Sequence, residues 1–293
     1  MKDTLLLIDA NSLIHRAFHA LPPFTTPDGR PSGALYGLAS ILIKVFKERP
    51  FEFGLAAFDH PSPTLREGIY KEYKATRPPL AEPLIPQIQE SHKLLAIFGI
   101  KTLEHAGWEA DDIVATLAQR FKNEKNLQTI ILSGDLDLLQ MVEDDKVLVE
   151  VPQKGISNTS IYNEEAVKAR FGISPKLLID YKGLVGDPSD NIQGVPGIGP
   201  KTASELTSRY GPLEALYEEA EGIGLNNQKL QQKLLDYKEQ AFLSKKLVTL
   251  KKDLPLEIDL KELEINSPLT DPKLVDYLKS LGFESLVKRI TGL

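Results

Sequence analysis

The sequence contains no cysteine. That excludes disulfides and thiolate metal sites, so any bound ion must be held by oxygen or histidine. No apolar run is long enough to span a bilayer, and the opening M-K-D-T-L-L-L-I-D enters a strand-like segment with no cleavable signal pattern. A soluble, cytoplasmic protein is expected. Internal repeats, low-complexity tracts and strong linkers are also missing, and 293 residues suit about one or two domains with ample length for a large core. Positive charge is not in excess either: the net charge is -6, which taken alone argues against a nucleic-acid partner. The average conceals a segregation, because setting aside nine clustered acids, identified below, leaves +3.

What is present is concentrated in residues 186–203, G-D-P-S-D-N-I-Q-G-V-P-G-I-G-P-K-T-A. Asp187 and Asp190 lie three apart with Pro188 restraining the backbone between them, so both carboxylates can face one hard cation such as Mg²⁺ or Mn²⁺. Beyond them Gly197, Gly199, Pro200, Lys201 and Thr202 give a tight turn opening a helix, with a small residue, Ala203, for close packing. This is a helix-hairpin-helix pattern, whose free amides and Lys201 suit a nucleic-acid phosphate. Residues 194–202 nearly match the nucleotide-binding P-loop, but Pro200 interrupts the spacing and no apolar strand precedes it. A plain turn between helices is the other reading of these glycines.

Three apolar runs end in acids. Residues 4–8 lead to Asp9, residues 53–58 to Asp59, and residues 128–132 through Ser133 and Gly134 to Asp135 and Asp137. Such runs read as buried parallel strands, whose carboxyl ends are where open α/β sheets bind ligands. Residues 33–48 have helical periodicity, and residues 147–151 form a further predicted strand. Glu109, Asp111 and Asp112 open a predicted helix over residues 113–121, where first-turn acids also serve the helix dipole. Capping explains none of the other six acids. Nine carboxylates converging on one edge would repel strongly, and divalent cations are the natural remedy. The chain then becomes mainly helical, with helices predicted over residues 164–171, 175–185, 200–209, 212–219, 228–247 and 271–281.

Residues 64–77, T-L-R-E-G-I-Y-K-E-Y-K-A-T-R, read as one basic aromatic helix stopped by Pro78 and Pro79. Arg66, Tyr70, Tyr73, Lys74 and Arg77 then share a face on which cations hold phosphates and a tyrosine stacks on a base, which suits a single strand or frayed end. A solvated helix face is the alternative. His15 and His19, four apart, could both face a metal, but no third ligand accompanies them.

In order along the chain, L-L-L-I-D, A-A-F-D, Y-K-A-T-R, W-E-A-D-D, S-G-D-L-D-L-L-Q and the 186–203 segment resemble the 5′-nuclease superfamily, most closely the N-terminal 5′-nuclease domain of bacterial DNA polymerase I. Trp108 stands where many relatives carry tyrosine, and no acid of the pattern is missing. The resemblance implies an α/β fold: a PIN-like, mostly parallel sheet flanked by helices, a helical arch, and a C-terminal lobe with a helix-three-turn-helix that binds duplex DNA with help from K⁺. It implies a catalytic domain at residues 1–172, a helical DNA-binding lobe at 173–293, and a monomer acting beside or fused to a DNA polymerase. It further implies 5′-3′ exonuclease and flap endonuclease activity on DNA in replication and repair, leaving 5′-phosphate products. Asp9, Asp59, Glu109 and Asp111, with Asp112 nearby, would serve one metal, and Asp135, Asp137, Asp187 and Asp190 a second, with Lys74 and Arg77 on the scissile phosphate. Water activated by one ion would attack, with a second ion about 4 Å away supporting the leaving oxygen. A non-catalytic DNA-structure binder would have lost acids, and a PIN-type ribonuclease would not require the 197–203 turn.

Overall fold

A computed structural model describes residues 2–153, 158–222, 227–266 and 268–292. Its centre is a six-stranded sheet of β1 (Asp3–Asp9), β2 (Phe53–Phe58), β3 (Lys101–Glu104), β4 (Leu127–Leu132), β5 (Val147–Pro152) and β6 (Thr159–Tyr162), in the order β3-β2-β1-β4-β5-β6. All pairings are parallel except β5 with β6. The central runs of β1, β2 and β4 are mostly apolar because both faces are covered. Leu6, Ile8, Ala56, Phe58, Ile130 and Leu132 enter one core, while Leu5, Leu7, Leu55, Ala57 and Ile131 enter the other. Burying each such leucine stabilises the fold by about 2 kcal/mol. Edge strand β3, K-T-L-E, has one apolar residue in four and carries no apolar signal.

On the first face lie α1 (Ala10–Ala20), α2 (Gly33–Glu48) and α4 (Ile85–Ile97), with α3 (Leu65–Ile69) between β2 and α4; α5 (Ala110–Phe121) covers the second face. The expected strands and helices α2 and α5 form within about three residues of their predicted ends. The single helix over residues 64–77 does not form. Only Leu65–Ile69 is helical, started by a reciprocal Thr64/Glu67 cap, and turns follow from residue 71. Gly68 weakens the local helix, and tertiary bonds take over: Lys74, in the left-handed region at φ 55°, donates its N–H to the Asp190 carbonyl, and Asn191 donates its side-chain amide to the Glu72 carbonyl. The arch over the sheet edge is therefore one short helix and a run of turns.

Past β6 come α6 (Glu164–Phe171), α7 (Leu178–Val185), a small hairpin of β7 (Gly186–Asp187) and β8 (Ile192–Gln193), α8 (Pro200–Tyr210), α9 (Leu213–Glu221), α10 (Gln228–Asp236) and α11 (Lys238–Val248). Residues 228–247 are thus two helices, broken at Tyr237, because α10 packs on α9 while α11 packs on α7. This lobe has its own core around Leu184, Leu206, Leu216 and Tyr217. The chain then returns to the sheet. Leu250 to Leu263 fill the α5 face, and α12 (Pro272–Ser280) with α13 (Glu284–Thr291) packs on the α2 face. Among the described residues no helix is long and apolar enough to cross a membrane.

Candidate carboxylate and phosphate site

Because β1, β2 and β4 are parallel, their carboxyl ends deliver Asp9, Asp59, Asp135 and Asp137 to one edge. The amino end of α5 adds Glu109, Asp111 and Asp112, and the β7–β8 hairpin adds Asp187 and Asp190. Gly186 makes that hairpin possible. Its φ is +76°, and a Cβ there would stand 2.3 Å from the Gly194 nitrogen.

Seven of these acids, all but Asp112 and Asp190, line two adjoining cavities of about 560 and 690 Å³ that share Ser12, Asp135 and Ser189. The first holds Asp9, Asp59, Glu109 and Asp111 beneath Lys74 and Arg77. The second holds Asp137, Asp187 and Lys182, beside the start of α8. Asp9 is buried and accepts from the Ser12 N–H (3.1 Å) and the Ser133 hydroxyl (2.7 Å). Burial and the nearby Asp59 nevertheless push its carboxyl up to about 6. Asp111 is raised well above the usual carboxylate range by burial and by Asp112, against the pull of Arg66. Burial also raises Asp135, although Lys182 opposes it.

Cations and hydroxyls of the chain balance part of this charge. Arg66 is buried; it binds Asp112 through both terminal nitrogens (2.6 and 2.7 Å), reaches Glu109 (2.7 Å), and donates its Nε–H to the Leu247 carbonyl. Tyr73 is buried as well, with its hydroxyl 2.9 Å from Glu109 and 3.1 Å from Asp190. Lys74 pairs with Glu109, and Arg77 with Asp190. Burial disfavours the Lys74 ammonium, but Glu109, Asp190 and Asp111 outweigh it and raise its pKa. Lys182 pairs with Asp137 and lies 2.6 Å from Asp187. Burial of Asp187 opposes ionisation, yet the Lys182 contact and the Ser189 donors hold its carboxyl below the usual range.

Asp9, Asp59, Glu109, Asp111, Asp135, Asp137, Asp187, Asp190, Lys74 and Arg77 are thus brought together. Asp112 joins them in space, but its oxygens are taken by Arg66 and by the Lys251 N–H (2.9 Å), so it anchors the site's wall. The shared face expected of Arg66, Tyr70, Tyr73, Lys74 and Arg77 is absent: Arg66 and Tyr73 point into the acids, and Tyr70 is half-buried and bonded to Glu72. The sequence does not mark Lys182, Ser12 or Asn11 as site residues, and it shows Ser133 only as a step towards Asp135. No local pattern marks a lysine that bridges two acids fifty residues apart in the chain.

The donor set fits a hard divalent cation. All the candidate ligands are carboxylates, and oxygens of Glu109 and Asp111 lie within 4.8 Å of each other beside the Arg66-bound Asp112. Among the described residues, Asp111 Oδ1 is buried with no hydrogen-bond partner. The turn before α8 also forms as expected: Gly197 has φ +73°, the Ile198 N–H bonds the Val195 carbonyl, and Gly199 is the open first cap. Lys201 and Thr202 lie in the first turn of α8, Lys201 exposed. Lys233 of α10 reaches over Gly197, where a Cβ would lie 2.6 Å from its Nζ.

A mostly parallel α/β sheet with acids gathered at its strand ends, joined to a helical lobe with a glycine turn, defines a PIN-like class of 5′-nuclease folds. Residues 4–172 match the 5′-3′ exonuclease N-terminal resolvase-like domain and residues 173–271 the 5′-3′ exonuclease C-terminal SAM fold. The chain belongs to the 5′-3′ exonuclease family. It is 38% identical over 286 residues to DNA polymerase I of Bacillus subtilis, a match that covers 98% of this chain and 32% of that protein. It is also 38% identical over 288 residues to a 5′-3′ exonuclease of Aquifex aeolicus, covering 98% of this chain and 95% of the relative. The chain therefore spans about a third of the polymerase but nearly all of the exonuclease. Among solved structures, the bacteriophage T5 flap endonuclease in a pseudo-enzyme-product complex with DNA and metal ions superposes with a TM-score of 0.65 at 19% identity, covering 99% of this chain and 97% of that one.

Proposed function

We propose that the protein is a metal-dependent 5′-3′ exonuclease and 5′-flap endonuclease that hydrolyses DNA phosphodiesters to leave 5′-phosphates, in replication and repair. The observation that carries this reading is the convergence of carboxylates from five chain segments on one sheet edge, divided into two cavities that meet at Asp135. Asp9, Asp59, Glu109 and Asp111 would hold one Mg²⁺ or Mn²⁺ ion, and Asp135, Asp137, Asp187 and Asp190 a second. Such ions, when bound, supply Lewis-acid polarisation and a nucleophile at neutral pH.

The chain's own residues do the rest. Lys74 and Arg77 face the first cavity and receive the reacting phosphate, exchanging Glu109 and Asp190 for phosphate oxygens. Their charge acts where negative charge grows in the transition state. Tyr73 and Arg66 orient Glu109. Lys182 holds Asp137 and Asp187 together. Free amides at Gly197 and Gly199, with Lys201, Thr202 and Lys233, hold duplex phosphates outside the second cavity, and a K⁺ ion in that turn belongs to the same proposal. Residues 1–172 carry most of the ligands, and the chain from 173 adds Asp187, Asp190 and Lys182 to the site together with the DNA grip, the monomer acting free or fused to a polymerase.

A labelled 5′-flap duplex tests this. Cleavage is expected with Mg²⁺, none with EDTA, and none for Asp111→Asn, which keeps DNA affinity. Metal-independent cleavage, or full turnover by Asp111→Asn at saturating Mg²⁺, refutes it.

A further inference from the structure

Helix α1 starts at the acids and carries Asn11, His15 and His19 on successive turns of one face, all lining the first cavity. At 1.5 Å per residue, His15 stands about 9 Å and His19 about 15 Å along the helix from Asp9. That is the reach of roughly three to four stacked nucleotides at a rise of about 3.4 Å. The lining contributed by Pro78, Pro79, Leu80, Ala81 and Leu84 is apolar, and Asp59 is the lining carboxylate that acts on His15. His15 is half-buried and His19 exposed, its ring meeting Phe18 edge-on at 5.2 Å. Both imidazoles are thus held in the passage without being part of the acid cluster.

This inference rests on the nuclease reading. If the reacting phosphate sits below Lys74 and Arg77 and the duplex lies beyond Asp135, the strand on the 5′ side leaves along α1 toward the histidines. A DNA 5′ end with a terminal phosphate carries a charge of about -1.5 to -2 there, more than any internal diester. We propose that His15 and His19, with Arg77 at the near side, form a subsite for the 5′-terminal phosphate of a short DNA end. Burial lowers the His15 pKa, with His19 and Arg77 adding to the effect and Asp59 opposing it. The charged ring is therefore disfavoured in the free protein, and an arriving dianion favours its protonation. Farther along the same cavity stand Asp9, Lys74, Glu109, Asp111 and Asp135. The subsite favours ends a few nucleotides from the cleavage point; long flaps present only diesters to it.

The test compares duplexes with a short 5′ overhang ending in phosphate or hydroxyl, with binding read in Ca²⁺ and single-turnover cleavage in Mg²⁺. The wild-type chain is expected to bind the phosphate end about 10-fold more tightly, the scale of a charge-assisted hydrogen bond. His19→Gln, at an exposed position that leaves folding intact, should cut the ratio to a few-fold, and His15→Gln/His19→Gln should bring it to about one. Because the readout is a ratio, a general loss of affinity cancels. No preference in wild type, or a preference the double variant keeps, overturns the subsite while leaving the nuclease reading standing. Failure of wild type to bind or cleave either DNA removes both.

Discussion

Asp9→Asn is the sharpest perturbation of the carboxylate cluster, because it changes one charge at a buried position and preserves shape. Asn keeps an acceptor for the Ser12 N–H, so the start of α1 stays capped. In the metal-free fold the Asp9 carboxyl is raised from 3.8 to about 6. A group raised in the folded state contributes most below its unfolded pKa, and that contribution is lost as pH rises through the folded value. That rise amounts to about 3 kcal/mol lost by pH 7, of which about 1 kcal/mol disappears between pH 5 and pH 7. In EDTA at pH 7.5, Asp9→Asn should therefore be more stable than wild type by about 1 to 3 kcal/mol, a rise in Tm of a few degrees for a chain this long. Its stability should also be flatter between pH 5 and 7. Adding Mg²⁺ should reverse the order, since wild type gains binding free energy that the variant loses. Urea melts at three pH values, each with EDTA and with Mg²⁺, give all the quantities. A variant less stable than wild type in EDTA, with an unchanged gain from Mg²⁺, refutes the origin of the shift in burial and the neighbouring carboxylates.

Lys74→Ala should lower single-turnover flap cleavage at saturating enzyme by roughly 100-fold, about 2.7 kcal/mol of transition-state stabilisation, with a far smaller change in Ca²⁺-supported binding. A normal rate removes Lys74 from the reacting phosphate. Lys201→Ala should weaken duplex binding for all sequences and reduce the log-log salt slope by about one unit, and an unchanged slope separates the α8 turn from DNA. Arg66→Ala should cost about 3 to 5 kcal/mol in urea unfolding because it strands the buried Asp112. A loss below about 1 kcal/mol would mean that the Arg66 bridge is dispensable.

Strands β1, β2 and β4 were legible because a strand buried on both faces has a nearly continuous apolar run, which stands out together with the acid that follows it. Once those three strands are parallel, Asp9, Asp59 and Asp135 must share an edge. The first-turn acids of α5 and the Gly197 turn were legible for local reasons too, the dipole and positive φ. Residues 64–77 show where local information ends. Their spacing is helical, but Lys74 and Glu72 gain partners only when the Asp190–Asn191 turn, more than a hundred residues later, folds against them. The same holds for Lys182 between Asp137 and Asp187, for Arg66 turned inward on Asp112, and for the break at Tyr237. The acids and their strands were determined by pattern. The cations that answer them were decided by tertiary contact, because a long flexible side chain takes its partner from whichever buried charge the fold brings within reach.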